Sequence, residues 1–460
     1  EEIPSRFMGL ALNHLKQELS AFFEKNRVRC GENRSLGTPR RLVVSFAGVD
    51  GRQEDIVETH LGPNVKAAYD ADGKPTKAAL GFARGKGVDI SQLGTETTPK
   101  GEVVCARVEK IGQPTEEILN TFLPTLIATI PFPKKMRWGN RGTPFARPMH
   151  WIAALFGGKP LKFDFDGISC SDISRGHRFM SPESFKVTGL TDYLKSCEKH
   201  FLLVDPEARK QTIVNQMNAL AAEVDGTVTL DPDLLEEVNY LVEYPVAIRG
   251  DFDERYLELP WELLTITMKH HQKYFPVTKK EGGLLPHFIT ISNMKPGGGD
   301  EIRRGNERVL RARLEDARFF FDEDRKKKLE DFVELLKGVT FQKSLGTSHE
   351  KVSRIVGLAE FLAGEICPDK KAKASRTAWL CKADLVTQMV YEFPELQGII
   401  GGYYADHSGE DPEVGRAIKE HYRPAFSGDE PPSTEVGAVV AIADKMDTIL
   451  GCIGVGLIPS

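Results

Sequence analysis

Apolar residues recur at intervals of three and four along several stretches of this chain, most clearly at Leu310, Leu314, Ala317 and Phe321. On a 3.6-residue period these four share one side, so RRGNERVLRARLEDARFFFDEDRKKK is predicted to be a long helix with that side packed inward. The residues before it, MKHHQKYFPV and then FITISN, read as strand-like, aromatic and basic. Residues 1 to about 30 predict another helix, with Pro4 near its start and Phe7, Leu10, Leu15, Leu19 and Phe22 on one broad side. TPRRLVVSFAGV predicts a strand entered through Pro39, with Arg40 and Arg41 at its mouth. GEVVCARVEK predicts a second strand, followed by a helix from Thr115 to about Ala128. Between the two strands, Asp70 to Gly73 (DADG) predicts a β-turn, and Thr76 caps a short helix carrying Ala79, Leu80 and Phe82. A helical section follows from Asp192 through Glu223, then a strand or turn in GTVTLDP and a helix in DLLEEVNYLVEYP. Beyond Leu329 the pattern is helical throughout. Gly297 to Gly299 predicts a flexible connector, and Lys326 to Glu330 a boundary.

These elements predict an α+β multidomain protein, with mixed α/β domains first and an all-helical domain last. A chain of 460 residues is long for one core. The expected division is 1–175, containing a basic and aromatic window; 176–330, ending in the arginine-rich helix; and 331–460, helical. Hydrophobic content of 40% and charged content of 28% are those of an ordinary globular protein. The longest apolar runs are too short to span a membrane, and no secretory signal pattern opens the sequence. Seven cysteines without a CxxC point to reduced cytosolic thiols, against a disulfide framework or a zinc ribbon.

A formal net charge of −5 excludes a simple polycation, so any nucleic-acid surface must be local. Two stretches supply local positive charge. In the long helix, Arg304, Arg308, Arg311 and Arg318 form a row beside the apolar stripe. Planar guanidinium forks match phosphates along a backbone. The alternative is a solvated face in which Glu307, Glu315 and Asp316 neutralise the row at helical spacing. The second stretch runs from Ile118 to Phe163 without a single Asp or Glu. It carries Lys134, Lys135, Arg137, Arg141, Arg147, Lys159 and Lys162, interleaved with Trp138, Phe145, His150 and Trp151. Such interleaving suits a surface that tracks a backbone and stacks bases. Its alternative is a buried hairpin with tryptophans in the core and lysines at the rim. Arg175, His177 and Arg178 close this region, and Lys269, His271 and Lys273 add cationic or stacking candidates ahead of the long helix.

Metal and phosphate motifs are near-misses. DADG lacks the other oxygen ligands of a calcium loop, and GFARGKG is one residue short of a phosphate loop. His270 and His271 on a strand would point to opposite faces, with no H-E-x-x-H partner nearby. No GxSxG, complete P-loop or Rossmann fingerprint is present. The carboxyl-terminal CKADL and IADKMD resemble an HD metallohydrolase domain, with Asp384 and Asp444 at ligand positions and His349 where an early ligand stands. Ala383 replaces the paired histidine, which implies an HD scaffold with a damaged metal site and no resident metal.

Taken together, EEIPSRFM, TPRRLVV, DADGKPTKAALGF, KKMRWG…FARPMHW, GHRF, KHHQKYFPV, GNERVLRARLEDARFFF, FQKSLGT, CKADLVTQMVYEFPELQGIIGGYYA and ADKMDT resemble one family in order and over essentially the whole chain. That family is the beta subunit of the bacterial two-subunit glycyl-tRNA synthetase. The resemblance implies a cytoplasmic α2β2 ligase that joins glycine to tRNA(Gly). It places ATP, magnesium and the catalytic core on the alpha subunit, and assigns this chain no cofactor, no catalytic residue and chiefly tRNA binding. It further implies a short strand before Glu1 and a DALR-type anticodon-binding domain after Ser460, neither contained in this sequence. Two readings compete with it: a metal-dependent HD phosphohydrolase, and a scaffold that only assembles the alpha dimer.

Overall fold

The computed structural model describes residues 1–99, 101–295 and 300–457. The Gly297–Gly299 connector lies outside the described residues. The protein is mixed α/β, with several small sheets, and the chain divides into two units. The first comprises Glu1–Thr212 and Leu235–Pro245, and the second Ile213–Leu234 and Val246–Ser460.

In the first unit the opening helix spans Ser5–Lys25 and buries Phe7, Met8, Ala11, Leu12, Leu15, Leu19 and Phe23. Phe7, Leu15 and Leu19 are buried as predicted and Phe22 is half-buried, but Leu10 is 53% exposed. Apolar residues nearly encircle the first turns, so periodicity alone leaves the phase open and the packing partners set it. Arg41–Phe46 is the strand read from TPRRLVV, and it pairs antiparallel with Asn33–Thr38. That partner went unread because NRSLGT has no hydrophobic alternation. Helix and hairpin share a core with Leu119, Leu126, Ile130, Phe132 and Phe145. Burying each large aliphatic or aromatic side chain there stabilises by about 1.5–3 kcal/mol. A three-stranded antiparallel sheet with Gly101–Lys110 at its centre is inserted after this hairpin. The Asp70–Gly73 turn closes on a 3.0 Å bond from the Gly73 N–H to the Asp70 carbonyl. Thr76 caps the Lys77–Lys86 helix. The insertion leaves where Gly112 meets Gln53, and a Cβ on Gly112 would fall 1.9 Å from the Gln53 carbonyl oxygen. Arg209, 0% exposed, donates to the carbonyls of Asn239, Gly37 and Leu203 at 2.9, 2.9 and 2.5 Å. Those bonds are what make a charge tolerable at that depth.

The second unit contains a four-stranded antiparallel sheet ordered Gly226–Val228, Phe275–Lys279, Leu284–Ser292, Val246–Asp251. The predicted long helix spans Glu301–Asp324, with Leu310, Leu314, Ala317 and Phe321 buried as the periodicity requires. The segment ahead of it is not a strand where it was read as one. Trp261–Ile266 is α-helical and Thr267–His271 continues it as a π turn, with the strand starting only at Phe275. Leu263, Leu264, Thr267 and Met268 sit at helical spacing and are all buried, which overrides the β-favouring aromatics that follow. The two-faced strand argument for His270 and His271 therefore fails, and both are exposed on the turn.

Beyond Leu329 the chain is mostly helical, through Ser348–Ile366, Lys371–Leu380, Ile399–His407, Pro412–Glu420 and Glu435–Gly454. Thr340–Gln342 and Gly346–Thr347 interrupt that pattern as a small antiparallel pair. Alanines 359, 363, 374, 378 and 443 let these helices approach closely. Asp324, buried at the end of the long helix, accepts the N–H groups of Gln388 and Met389 at 3.0 and 2.9 Å and the Tyr404 hydroxyl at 3.1 Å. The arginine-bearing helix is thereby bonded to the helical part of its own unit.

Candidate nucleic-acid interface

The Glu301–Asp324 helix is held by its apolar stripe, so the neighbouring side has a fixed orientation. Arg304, Arg308 and Arg311 are exposed there, and none has an ion pair among the described residues. The acids expected to neutralise them are engaged elsewhere. Glu307 bonds to Arg303 at 3.5 Å and accepts the Asp251 N–H at 3.1 Å, and Glu315 pairs with Arg255. No ion pair joins Asp316 to the row among the described residues. Arg318 differs: it bonds to Glu258 at 3.1 Å, to the Arg255 carbonyl at 3.1 Å, and lies 3.6 Å from Asp322. The row thus splits into three unpaired guanidiniums in the first half of the helix and a neutralised one in the second.

The π turn packs against this helix, with the Tyr274 hydroxyl bonded to Asn306 at 2.6 Å. Lys269 is half-buried and 3.2 Å from Asp231. His271 is exposed and meets Phe393 edge-on at 5.5 Å. Its pKa is lowered, first by partial burial and then by Arg313. Lys273 sits at a φ of 59°, a conformation that turns the chain from helix into strand.

In the first unit the acid-free window forms a hairpin-like loop with a bridge between Met136 and Phe145. Phe145 is buried, and Trp138 meets it edge-on at 6.4 Å while remaining half-buried. Lys134, Lys135, Arg137 and Arg147 are exposed around it, and Arg141 is half-buried. This arrangement matches the hairpin alternative in its core and still leaves a cationic rim. Of the closing triplet, Arg175 is exposed, Arg178 bonds to Glu2 at 2.9 Å, and His177 is 1% exposed. His177 is corrected from a surface candidate to an interior group whose Nδ1 accepts the N–H groups of Phe179 and Met180. A cavity of about 780 Å³ also lies in this unit, between Leu42–Phe46 and residues 147–158, with Arg40, Arg41, His150 and Trp151 among its lining residues.

The residues read as a damaged metal site have other partners. Lys382, 4% exposed, donates to Asp444 at 2.6 Å and to His421 Nε2 at 2.9 Å, with its ammonium 3.7 Å from the Tyr422 ring. Lys351 lies 2.9 Å from the other Asp444 oxygen and 3.0 Å from Asp447. Asp384 accepts the N–H groups of Gly398 and Gly401 at 2.5 and 3.1 Å, and Ala383 is buried beside it. His349 turns instead to Glu334, 3.7 Å away, and to the edge of Trp379. Burial, aided by Lys382, pushes the His421 pKa down to about 3, and burial pushes Asp384 up to about 6. Asp444 is held far below the usual carboxylate range by Lys382, His421 and Lys351 against its own burial. Two ammonium groups sit on the carboxylate that a metal would need, so these residues do not fit a divalent cation. Among the described residues no group of three or more His, Cys, Asp or Glu is placed to hold one. The motif is visible in the sequence, whereas Lys382, the residue next to Ala383, and Lys351, one turn after Thr347, carry no motif signal there.

Comparison with known proteins places the chain among the subunits of aminoacyl-tRNA synthetases. It belongs to the glycyl-tRNA synthetase beta subunit family, whose pattern matches residues 1–460. It is 51% identical over 460 residues to the glycine–tRNA ligase beta subunit of Trichlorobacter lovleyi, covering all of this chain and 67% of that protein. The corresponding protein of Geobacter sp. strain M21 is also 51% identical, and that of Syntrophus aciditrophicus 50%, with the same coverage.

Proposed function

We propose that this chain is the tRNA-binding beta subunit of glycine–tRNA ligase and acts with an alpha subunit that attaches glycine to tRNA(Gly) using ATP and magnesium. The carrying observation is the set of guanidiniums at Arg304, Arg308 and Arg311, unpaired among the described residues, on a helix whose rotation is locked by its buried side. Seven residues of helix place them along roughly 10 Å, several charges of a backbone that carries one per ~3.4 Å per strand. The beta-subunit names of the relatives support an alpha partner. The assembly is read as α2β2 and cytoplasmic, and among the described residues no helix is long and apolar enough to cross a membrane. The carboxyl-terminal helices are read as an HD-like scaffold in which lysine ammonium groups stand where metal would be. Lys134, Lys135, Arg137, Trp138, Arg141 and Arg147 are read as a second contact area, with Lys269, His271 and Lys273 flanking the first.

The test is a filter-binding titration of the chain with tRNA(Gly) at two salt concentrations. Binding is expected to be saturable and salt-sensitive. In Arg308→Ala/Arg311→Ala, affinity should fall about tenfold or more, and the slope of log K against log salt should flatten by about 1.5. Unchanged affinity in a folded double variant would reduce the row to a solvated face.

A further inference from the structure

Two separate stretches of the first unit converge on one indole. The hairpin of Asn33–Thr38 and Arg41–Phe46 supplies Arg40 from its turn and Arg41 from the start of its second strand, and the strand Ile173–Arg175 supplies Arg175. The guanidinium carbons of Arg40, Arg41 and Arg175 lie 5.7, 5.5 and 5.6 Å from the centre of the Trp151 ring. Cation–π attraction accounts for one such contact readily, but three like charges around one ring repel unless something negative sits among them. The carboxylate bonded within the cluster is Glu243, 1% exposed. One of its oxygens takes Arg41 and the Thr38 hydroxyl, which also bonds Arg41, and Arg41 reaches the carbonyls of Arg175 and Gly176 as well. Arg41 is thereby neutralised and fixed as structure.

Arg40 and Arg175 are not. Arg40 reaches Glu243 only at 3.4 Å and the Gly176 carbonyl at 3.5 Å, and its buried Nε, like that of Arg41, has no partner among the described residues. Arg175 is exposed, and its guanidinium has no ion-pair partner among the described residues. The next arginine, Arg178, is already paired with Glu2. Three positive charges share one carboxylate, an excess of two, and Arg40 and Arg175, the less tightly held pair, lie about a common ring. We infer that Arg40 and Arg175, set about Trp151, form a phosphate-binding site, and that its ligand is a phosphodiester of the RNA. The RNA assignment rests on the tRNA-binding reading above, while the phosphate chemistry does not. A phosphate offers oxygens enough to accept from both guanidinium forks, whereas a single carboxylate saturates one. Trp151 holds both arginines in place without competing for their N–H groups, since its ring accepts only through the π face.

Two titrations of the 460-residue chain test the site. Inorganic phosphate, followed by the part of the tryptophan emission that Trp151→Phe removes, should give a saturable change that Arg175→Gln weakens about tenfold. In filter binding with tRNA(Gly), Arg40→Gln/Arg175→Gln should lower affinity about tenfold and reduce the salt slope by about 1.5 while the long-helix contacts persist. Arg175→Lys should recover part of that loss. If Arg40→Gln fails to fold, the exposed Arg175→Gln carries both arms alone. No phosphate response and no change in tRNA binding overturn the site. A phosphate response with unchanged tRNA affinity overturns the RNA assignment and leaves a free-phosphate site. Failure of the unsubstituted protein to bind tRNA at all overturns the proposed function, and the phosphate arm then still reads the site by itself.

Discussion

Asp444→Ala is the perturbation for which the structure gives the clearest magnitude. Lys382 and Asp444 are 5% and 10% exposed at their side chains and 2.6 Å apart. Removing the carboxylate leaves the Lys382 ammonium with a neutral imidazole and the face of Tyr422 as its remaining partners. Lys351, by contrast, keeps Asp447 at 3.0 Å. Stranding one buried charge of a pair costs about 3–5 kcal/mol, and Lys382 is the one stranded. Lys382→Met is milder, below about 3 kcal/mol, because Asp444 retains Lys351 at 2.9 Å. Combining the two changes should recover part of the Asp444→Ala loss, since no unpaired ammonium remains. Urea unfolding followed by far-UV circular dichroism gives the totals. Amide exchange along Glu435–Gly454 localises the effect to these helices. The reasoning is refuted if Asp444→Ala costs less than Lys382→Met, or if the double variant is simply additive.

Further outcomes follow from the same contacts. Arg209→Leu should destabilise the first unit by about 3 kcal/mol or more, because three backbone carbonyls lose their donor, and thermal unfolding reads this. Arg318→Ala should cost under ~1 kcal/mol and leave tRNA affinity unchanged in filter binding, since that arginine is already neutralised. Acid should act through two opposed groups. The folded pKa of His421, about 3 against an ordinary 6.5, means the unfolded state takes up a proton the folded state refuses, so stability falls as pH drops below 6.5. The folded pKa of Asp384, about 6 against 3.8, makes the folded state the better proton acceptor between those values, so stability rises as pH drops through that window. Urea midpoints from pH 7 to 4 should therefore show Asp384→Asn losing stability more steeply with acid than the unsubstituted chain, and His421→Gln less steeply.

What could be read from sequence was what local periodicity encodes. The buried side of Glu301–Asp324 is visible in four residues, and so is the arginine row beside it. Whether that row is neutralised was not visible. The deciding partners, Arg255 for Glu315 and Glu258 for Arg318, lie about 60 residues away. The same limit hid the meeting of Arg40, Arg175 and Trp151, each of which looked like a feature of its own stretch. The π turn was misread because KHHQKYF is aromatic and basic, and aromatic residues favour strands until Leu263 and Met268 bind the segment to a helical core. The metal-like motif was legible as a motif, but Lys382, which bonds Asp444 and His421, is a single residue with no periodic signal. Leu10 shows the remaining weakness, in that an amphipathic start with apolar residues on several sides does not fix its own rotation.

The most direct test of the central claim is photocross-linking of this chain to tRNA(Gly), followed by mapping of the labelled peptides. Labels are predicted on the segment from Arg304 to Arg311, and their yield should fall as salt rises. Saturable cross-links that all avoid this segment, or none at any salt concentration, would contradict the account.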